Sequence, residues 1–144
     1  MPVVDVIDQT YVAVPPRQLL DAMCDESAWS TVLPGVRLRC FDDRGVLGRR
    51  WRVSGVLDGT AEVWLEEMAE GTVVHVFLQA DPTDGSTSVR ARRRAGPAYH
   101  ARLKRWVTHV RDSLDVGRAV GDPPAGVGGP DAATPDVTTS RTAR

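Results

Sequence analysis

The sequence predicts an α+β domain in which a long helix near the C-terminal end packs against an antiparallel sheet of about five strands. One observation is the segment Pro97–Val116, where apolar residues recur every three or four positions, as on one face of a helix. The other is that almost everything before this segment alternates in hydrophobicity, as half-buried strands do, between short clusters of turn residues. Since a helix cannot bury an apolar face alone, we expect the sheet to cover it.

The predicted helix has an apolar face and a basic face. Pro97 is compatible with a first helical turn, because its missing N–H needs no partner there, and Gly117 suits a C-terminal cap. The arginine-rich segment Ser88–Ala95 is expected to lead into the helix, with a kink or an interruption at Gly96–Pro97. The apolar stripe consists of Tyr99, Leu103, Trp106, Val107, Val110 and Leu114.

Strands and short helices are predicted in a simple order along the rest of the chain. A first strand over Val3–Val14 ends at Pro15–Pro16, and two short helices follow, over Arg17–Cys24 and around Ala28–Val32. The sheet then continues in hairpin-connected strands at Val36–Phe41, Leu47–Leu57, Thr60–Met68 and Thr72–Ala80, with turns at 42–45, 58–59 and 69–71.

The pairing of the last hairpin can also be predicted. If Glu70–Gly71 is a two-residue turn, Ala69 pairs with Thr72, and the two faces of the hairpin differ sharply. The aliphatic face then holds Val63, Leu65, Val74, Val76 and Leu78, and the mixed face holds Glu62, Trp64, Glu66, Val73, His75, Phe77 and Gln79.

Length and composition are those of one globular domain followed by a tail. The chain has 144 residues, of which 42% are apolar and 26% are charged. Residues 1–118 are expected to form the domain, and residues 119–144, which include no aromatic residue, are expected to be disordered. No signal peptide or membrane-spanning run is recognisable, so we expect a cytoplasmic protein with Cys24 and Cys40 as reduced thiols.

Charge is distributed unevenly along the chain. Residues 1–85 carry 7 Lys/Arg against 14 Asp/Glu, whereas residues 86–118 carry 9 against 2. We therefore expect an acidic sheet to attract a basic helical segment across the fold. The run Arg90–Arg94 leaves an anionic partner open as an alternative. Because this run has no interleaved aromatic residues and the isoelectric point is about 6.3, specific nucleic-acid binding is not expected.

The order of elements resembles the superfamily of START lipid-transfer domains, polyketide cyclases and birch-pollen-type allergens (SRPBCC). The likeness rests on the first strand ending in VPP, on RQLLDAMCDESAW, on LPGVRLRCFDDRG and on the hairpin EEMAEGTVVHVFLQAD, and it covers Val3–Leu114. The resemblance implies a helix-grip fold, in which the sheet curls around the terminal helix, and it is nearest to small polyketide cyclase/dehydrase-like proteins of actinobacteria. Members usually have more strands than the sheet predicted here, which implies a smaller or more open cavity.

Few residues are candidates for catalysis. Glu66 is expected opposite His75, and this pair would supply a base and its orienting group. An ordinary ion pair on a strand is the alternative. Glu62 and Glu66 would either handle a substrate proton or form an exposed acidic face. Arg50 and Arg52, or Arg49 on the other face of the strand, would hold an acidic or enolic oxygen in a cavity. The alternative is that these arginines face water or pair with neighbouring glutamates.

Aromatic residues indicate a candidate ligand site between the sheet and the C-terminal helix. In the predicted register Trp64 lies opposite Phe77, and such rings either line a pocket for a flat hydrophobic molecule or form ordinary core. No residues have the spacing of metal ligands, so neither a metal nor a cofactor is expected. The predicted ligand-binding residues are Trp51, Glu62, Trp64, Phe77 and Trp106.

Three classes of function follow from these observations. The favoured one is binding of a small hydrophobic or aromatic ligand, lipid-like or polyketide-like, in a cavity between the sheet and the C-terminal helix. The second, which the resemblance implies, is a cofactor-free polyketide cyclase or aromatase whose cavity residues steer enolisation and ring closure. The third is a protein-interaction module of the same fold, as in toxin-like relatives.

Overall fold

Five antiparallel strands and three α-helices form the fold of residues 2–85 and 88–115, the part of the chain that the computed structural model describes. In chain order the elements are β1 (Val4–Val12), α1 (Pro16–Met23), α2 (Glu26–Val32), β2 (Val36–Asp43), a 3-10 helix (Gly45–Leu47), β3 (Gly48–Gly55), β4 (Leu57–Met68), β5 (Gly71–Pro82) and α3 (Val89–Leu114). The strands form one curled sheet in the order β1-β5-β4-β3-β2, so β4 is central. The predicted α+β helix-grip fold is thereby confirmed. The predicted tail, 119–144, lies outside the described residues.

The two faces of the sheet differ, because side chains alternate along each strand. All three helices lie on one face, which we call the inner face: α3 packs chiefly against β1, α1 against β4 and α2 against β2. The aliphatic side of the last hairpin belongs to this face, and its members are fully buried: Val63, Leu65, Val74, Val76 and Leu78. Within the described residues no helix covers the opposite, outer face.

The last hairpin turns one residue earlier than predicted. Met68 pairs with Gly71, so the turn consists of residues 69–70 instead of Glu70–Gly71. The pairing is shifted by two positions, which preserves the predicted separation of an aliphatic face from a mixed one. A Cβ on Gly71 would lie 2.5 Å from the carbonyl oxygen of Val12, so this glycine permits the close approach of β1 and does not form the turn.

The turn predicted at Asp58–Gly59 is wrong, because β4 runs through both residues. The chain reverses instead at the end of β3, where Gly55 has a φ of 101°, a conformation that favours glycine. Gly59 has another role, since a Cβ there would lie 2.0 Å from the carbonyl oxygen of Gln79 on β5. Gly59 therefore permits two strands to pack closely and does not form a turn.

Helix α3 begins earlier than predicted and continues through Pro97. The hydroxyl oxygen of Ser88 caps it by accepting a hydrogen bond from the N–H of Ala91 at 3.1 Å. The interruption predicted at Gly96–Pro97 is wrong, because the capped and packed helix tolerates the loss of one backbone donor. Of the predicted stripe, Leu103, Val107 and Val110 are buried, and Tyr99, Trp106 and Leu114 are partly buried.

Three tryptophans fill the space between the sheet and α3. Trp29 of α2 lies between Trp51 of β3 and Trp106 of α3, with ring centroids 5.3 Å from each. Trp29 and Trp51 are fully buried, and Trp106 is partly buried. The carbonyl oxygen of Met23 accepts a hydrogen bond from the Trp29 indole, and the Glu26 carboxylate accepts one from Trp51. We call these three residues the tryptophan cluster.

Cys24 lies beside this cluster, directly after α1, and is fully buried. It is a free thiol, as is Cys40. Burial raises the pKa of the Cys24 thiol from 9.0 to about 12. A thiol held in its neutral form is a poor nucleophile, and Cys24 packs in the hydrophobic core.

Trp51→Ala is expected to lower the free energy of unfolding by about 3–5 kcal/mol, because it removes a fully buried aromatic ring. Trp106→Ala is expected to have a smaller effect, since its ring is only partly buried. Chemical denaturation measures both, with Phe41→Ala, on a ring that is 54% exposed, as the control. A Trp106 variant destabilised as much as the Trp51 variant would contradict this ranking.

The buried thiol predicts a dependence of stability on alkaline pH. Because the folded-state pKa of Cys24 is raised, the folded state holds a proton that the unfolded state releases above pH 9.0. The free energy of unfolding should therefore fall as the pH rises above this value, by up to about 1.4 kcal/mol per pH unit from this group. Denaturation at pH 8 and pH 10 measures the fall. In Cys24→Ala, the fall in the free energy of unfolding between these two pH values should be smaller by the contribution of the thiol. An identical fall in the wild type and the variant would contradict the prediction.

Candidate functional site

A polar pocket opens where α1 meets α2, and its volume is about 290 Å³. Helix α2 begins soon after α1 ends, and Asp25 caps its first turn. The Asp25 carboxylate accepts a hydrogen bond from the N–H of Ser27 at 3.0 Å. This geometry gives the pocket an acidic rim. Its lining residues are Leu20, Asp21, Cys24, Asp25, Glu26 and Arg49.

Arg49 and Glu26 connect this pocket to the tryptophan cluster. The Nη1 of Arg49 donates a hydrogen bond to the carbonyl oxygen of Cys24 at 2.8 Å. Its Nε lies 3.6 Å from the Asp43 carboxylate and makes no hydrogen bond, although solvent does not reach it. The Glu26 carboxylate accepts a hydrogen bond from Nε1 of Trp51 at 2.8 Å. The floor of the pocket is therefore the bond between Glu26 and Trp51.

A second polar cluster lies between β1 and α3. Lys104 donates hydrogen bonds to Asp8 at 3.1 Å and to the Thr10 hydroxyl at 2.9 Å, and that hydroxyl donates to Asp8 at 2.9 Å. Asp8 and Thr10 are buried, with 7% and 6% exposure. The sequence patterns considered above do not predict this cluster. The available signal was that Asp8 shares the alternation of Val4 and Val6, so a carboxylate interrupts an apolar series.

Glu66 and His75 are in contact on the outer face, but they are not directly opposite each other as predicted, because Glu66 pairs with Val73. The Nε2 of His75 is 2.9 Å from Oε1 of Glu66. The His75 ring stacks on Trp64, which lies directly opposite it, and on Phe77, at centroid distances of 4.2 and 6.3 Å. These neighbours reduce the exposure of His75 to 5%. The contact stabilises the hairpin, and a catalytic role for the pair stays a prediction.

The predicted ligand-binding residues do not lie in one cavity. Trp51 and Trp106 belong to the tryptophan cluster on the inner side. Glu62, Trp64 and Phe77 project from the outer face, because they alternate with the aliphatic residues that α1 and α3 help to bury. The expectation of one mixed wall between the sheet and α3 is therefore wrong. Burying the aliphatic face removes more apolar surface from water, and this decides which face the helices cover.

Arg50 and Arg52 are exposed, as is most of the run Arg90–Arg94, whereas Arg49 is half-buried. Arg50 contacts Glu62 and Arg52 contacts Asp58 on the outer face, so both belong to ion pairs between strands. The run Arg90–Arg94 lies in the first turns of α3 and forms no ion pair within residues 2–85 and 88–115. In the same part of the chain, no group of His, Cys, Asp and Glu is arranged to hold a metal ion.

Further pockets lie at the surface. One of about 430 Å³ is formed by the start of α1, the 3-10 helix and the end of β4, and two of about 300 and 500 Å³ lie between the first half of α3 and the start of β1. The predicted ligand-binding residues line none of these three. Among the described residues, no helix is long and apolar enough to cross a membrane.

Neither a protein-family model nor a curated protein matches the chain. Several solved structures are similar to it. The Polyketide_cyc-like protein Cgl2372 from Corynebacterium glutamicum is 14% identical, with 81% of this chain and 93% of that chain covered and a TM-score of 0.61. DR_A0006 from Deinococcus radiodurans is 14% identical, with 80% and 100% covered and a TM-score of 0.58. DynU16, a putative protein in the dynemicin biosynthetic locus, is 16% identical, with 79% of this chain and 48% of DynU16 covered and a TM-score of 0.53.

At these identities the similarity concerns the fold alone. The matched proteins are covered over most of their length, with the exception of DynU16, of which this chain spans about half. The similarity agrees with the element order and with the long terminal helix on the inner face of the sheet. The chain therefore has the helix-grip fold that polyketide cyclase-like and other START-like (SRPBCC) proteins share.

Proposed function

We propose that the protein binds a small, flat, polyketide-like or other aromatic molecule on the inner side of its sheet, through the pocket at the junction of α1 and α2. The observation that carries this proposal is the floor of the pocket, where the Glu26 carboxylate holds the indole N–H of Trp51. Trp51 in turn contacts Trp29. A ligand oxygen that takes the place of the Glu26 carboxylate would accept a hydrogen bond from this indole N–H.

The dimensions of the pocket limit the ligand. A volume of about 290 Å³ is at the lower end of the roughly 300–1,000 Å³ that small-molecule sites occupy. Behind the floor, the fully buried rings of Trp29 and Trp51 fill the interior. The proposed ligand is therefore the size of about one or two fused rings, and a sterol or a long lipid chain is too large for this pocket.

The polar rim favours oxygen substituents on the ligand. The guanidinium of Arg49 lines the pocket, and a phenolic or enolic oxygen of the ligand would accept hydrogen bonds from it. The carboxylates of Asp21 and Asp25 line the same pocket and would accept hydrogen bonds from hydroxyl groups of the ligand.

The fold supports the proposal by analogy. One similar structure is described as Polyketide_cyc-like, and another comes from a protein of a biosynthetic locus. Both descriptions are compatible with a small-molecule ligand, which this chain would hold in the pocket proposed above.

One observation favours a second candidate function, a cofactor-free polyketide cyclase or aromatase. Asp8, Thr10 and Lys104 place a carboxylate, a hydroxyl and an ammonium group together between β1 and α3. The carboxylate would take a proton from the carbon next to a carbonyl, and the ammonium group would stabilise the enolate oxygen that forms. This function also requires that the ligand reach from the tryptophan cluster to β1.

Titration with hydroxylated naphthalenes, followed by tryptophan fluorescence and by thermal unfolding, tests ligand binding. We expect saturable quenching and a raised melting temperature. Trp51→Phe is expected to weaken binding about tenfold, because it removes the indole N–H from which the ligand oxygen would accept a hydrogen bond. Trp64→Phe, which removes an indole from the outer face, is the matched control and should retain the affinity.

Two results would overturn the binding site. One is the absence of any change in fluorescence or melting temperature across the series. The other is an equal loss of affinity in Trp64→Phe, which would move the site to the outer face. The cyclase function has a separate test: Lys104→Met should retain binding and lose the conversion of a linear poly-β-ketone thioester into cyclised product, followed by mass spectrometry.

A further inference from the structure

We propose that the outer face of the sheet is the interface of a homodimer, in which a second copy of this chain packs face to face. Within the described residues no helix covers this face. It nevertheless carries the stacked rings of Trp64, His75 and Phe77. Ile7 on the edge strand β1 lies opposite Phe77 and is 59% exposed, and Phe41 on the other edge strand, β2, is 54% exposed. Exposed apolar residues of this kind on an uncovered sheet indicate an interaction surface.

The charged residues of the outer face differ between the two sides of the central strand, β4. The strands on one side, β2 and β3, carry four arginines, and those on the other side, β1 and β5, carry carboxylates. Arg39 lies directly opposite Arg52, a like-charge pair that destabilises the sheet. Within the described residues Arg39 has no ion-pair partner. The outward-facing charged residues are Arg37, Arg39, Arg50, Arg52 and Asp42 on β2 and β3, Asp58, Glu62 and Glu66 on β4, and Asp5 and Asp81 on β1 and β5.

A two-fold axis that runs along β4 brings the two halves together. Rotation about it lays β1 of one copy over β2 of the other, and β5 over β3. Asp5 lies in the same cross-strand row as Arg52 and Arg39, so the rotation places it over Arg39 of the second copy. An arginine of one copy then receives the counter-charge that its own sheet does not provide.

The same rotation matches the apolar residues. The row of Ile7 runs through Phe77, Glu62 and Arg50 to Asp42, so Ile7 lies over the bulge of β2 next to Phe41 of the second copy. Trp64 is on β4 and lies close to its own counterpart. A second copy therefore supplies a carboxylate for Arg39 and an apolar contact near Phe41, whereas an anionic polymer would also meet the carboxylates of Asp5 and Asp81.

The area of the face limits the strength of the dimer. Five strands span about 20 Å, and the five outward rows span about 27 Å along the strands. This is at the small end of dimer interfaces. A curled sheet also recedes toward its edges, where long arginine side chains bridge the gap. We therefore expect a dimer that dissociates on dilution and at high salt.

Analytical ultracentrifugation of the full chain over a range of concentrations tests the proposal. The wild type should show a concentration-dependent dimer that about 0.5 M salt weakens. Arg39→Glu and Asp5→Lys should each weaken the dimer at least about tenfold. In either variant both symmetry-related contacts between positions 5 and 39 would join two side chains of the same charge. An equal mixture of the two variants should restore dimerisation, since the new glutamate faces the new lysine and the second contact stays native.

Arg93→Glu is the matched control, because it makes the same change of charge on the exposed side of α3 and should leave the dimer unchanged. A wild type that stays monomeric at all concentrations overturns the proposal. So does a dimer that neither outer-face variant affects. If both variants weaken the dimer and their mixture does not recover it, the two-fold axis along β4 is wrong.

Discussion

The insertion of Trp29 between Trp51 and Trp106 is the contact on which the rest of the structure depends. Helix α2 has only seven residues, too few to be stable alone, and it is held by its Asp25 cap and by this buried ring. Through Trp29 it joins β3 to α3, while α3 itself packs chiefly on β1. The short helix thus occupies the space that a ligand would otherwise fill. What remains open to small molecules is the polar pocket at the rim, which explains why the proposed ligand is small.

The same packing determines what lies on the outer face. Once the aliphatic residues of β4 and β5 turn inward, strict alternation places Glu62, Trp64, His75 and Phe77 outward. Stacking and hydrogen bonding protect His75 there without a covering helix. The two proposals therefore use opposite faces of one sheet, and either can fail without the other.

The elements that the sequence predicted well are those whose patterns report burial directly. The alternation in β4 and β5 predicted the two faces correctly, and the helical period located the buried stripe of α3. Glycine misled the prediction of turns, because Gly59 and Gly71 are required where backbones approach closely. The bond between Asp8 and Lys104 joins residues far apart in the chain, and no local pattern pairs them. Which face the helices cover was not predicted correctly. The helices cover the face that buries more apolar area, and the aromatic residues on the mixed face made that difference hard to recognise.

Trp29 fills the space that would otherwise be the cavity of this fold. The melting temperature of Trp29→Ala, measured with and without indole, tests this most directly. We expect a destabilised but folded variant whose melting temperature rises by several degrees in millimolar indole. Indole would occupy the apolar space that the substitution leaves and would bind only the folded state. The wild type, in which that space is filled, should not respond. A folded variant that indole does not stabilise, or a wild type that responds equally, would contradict the account.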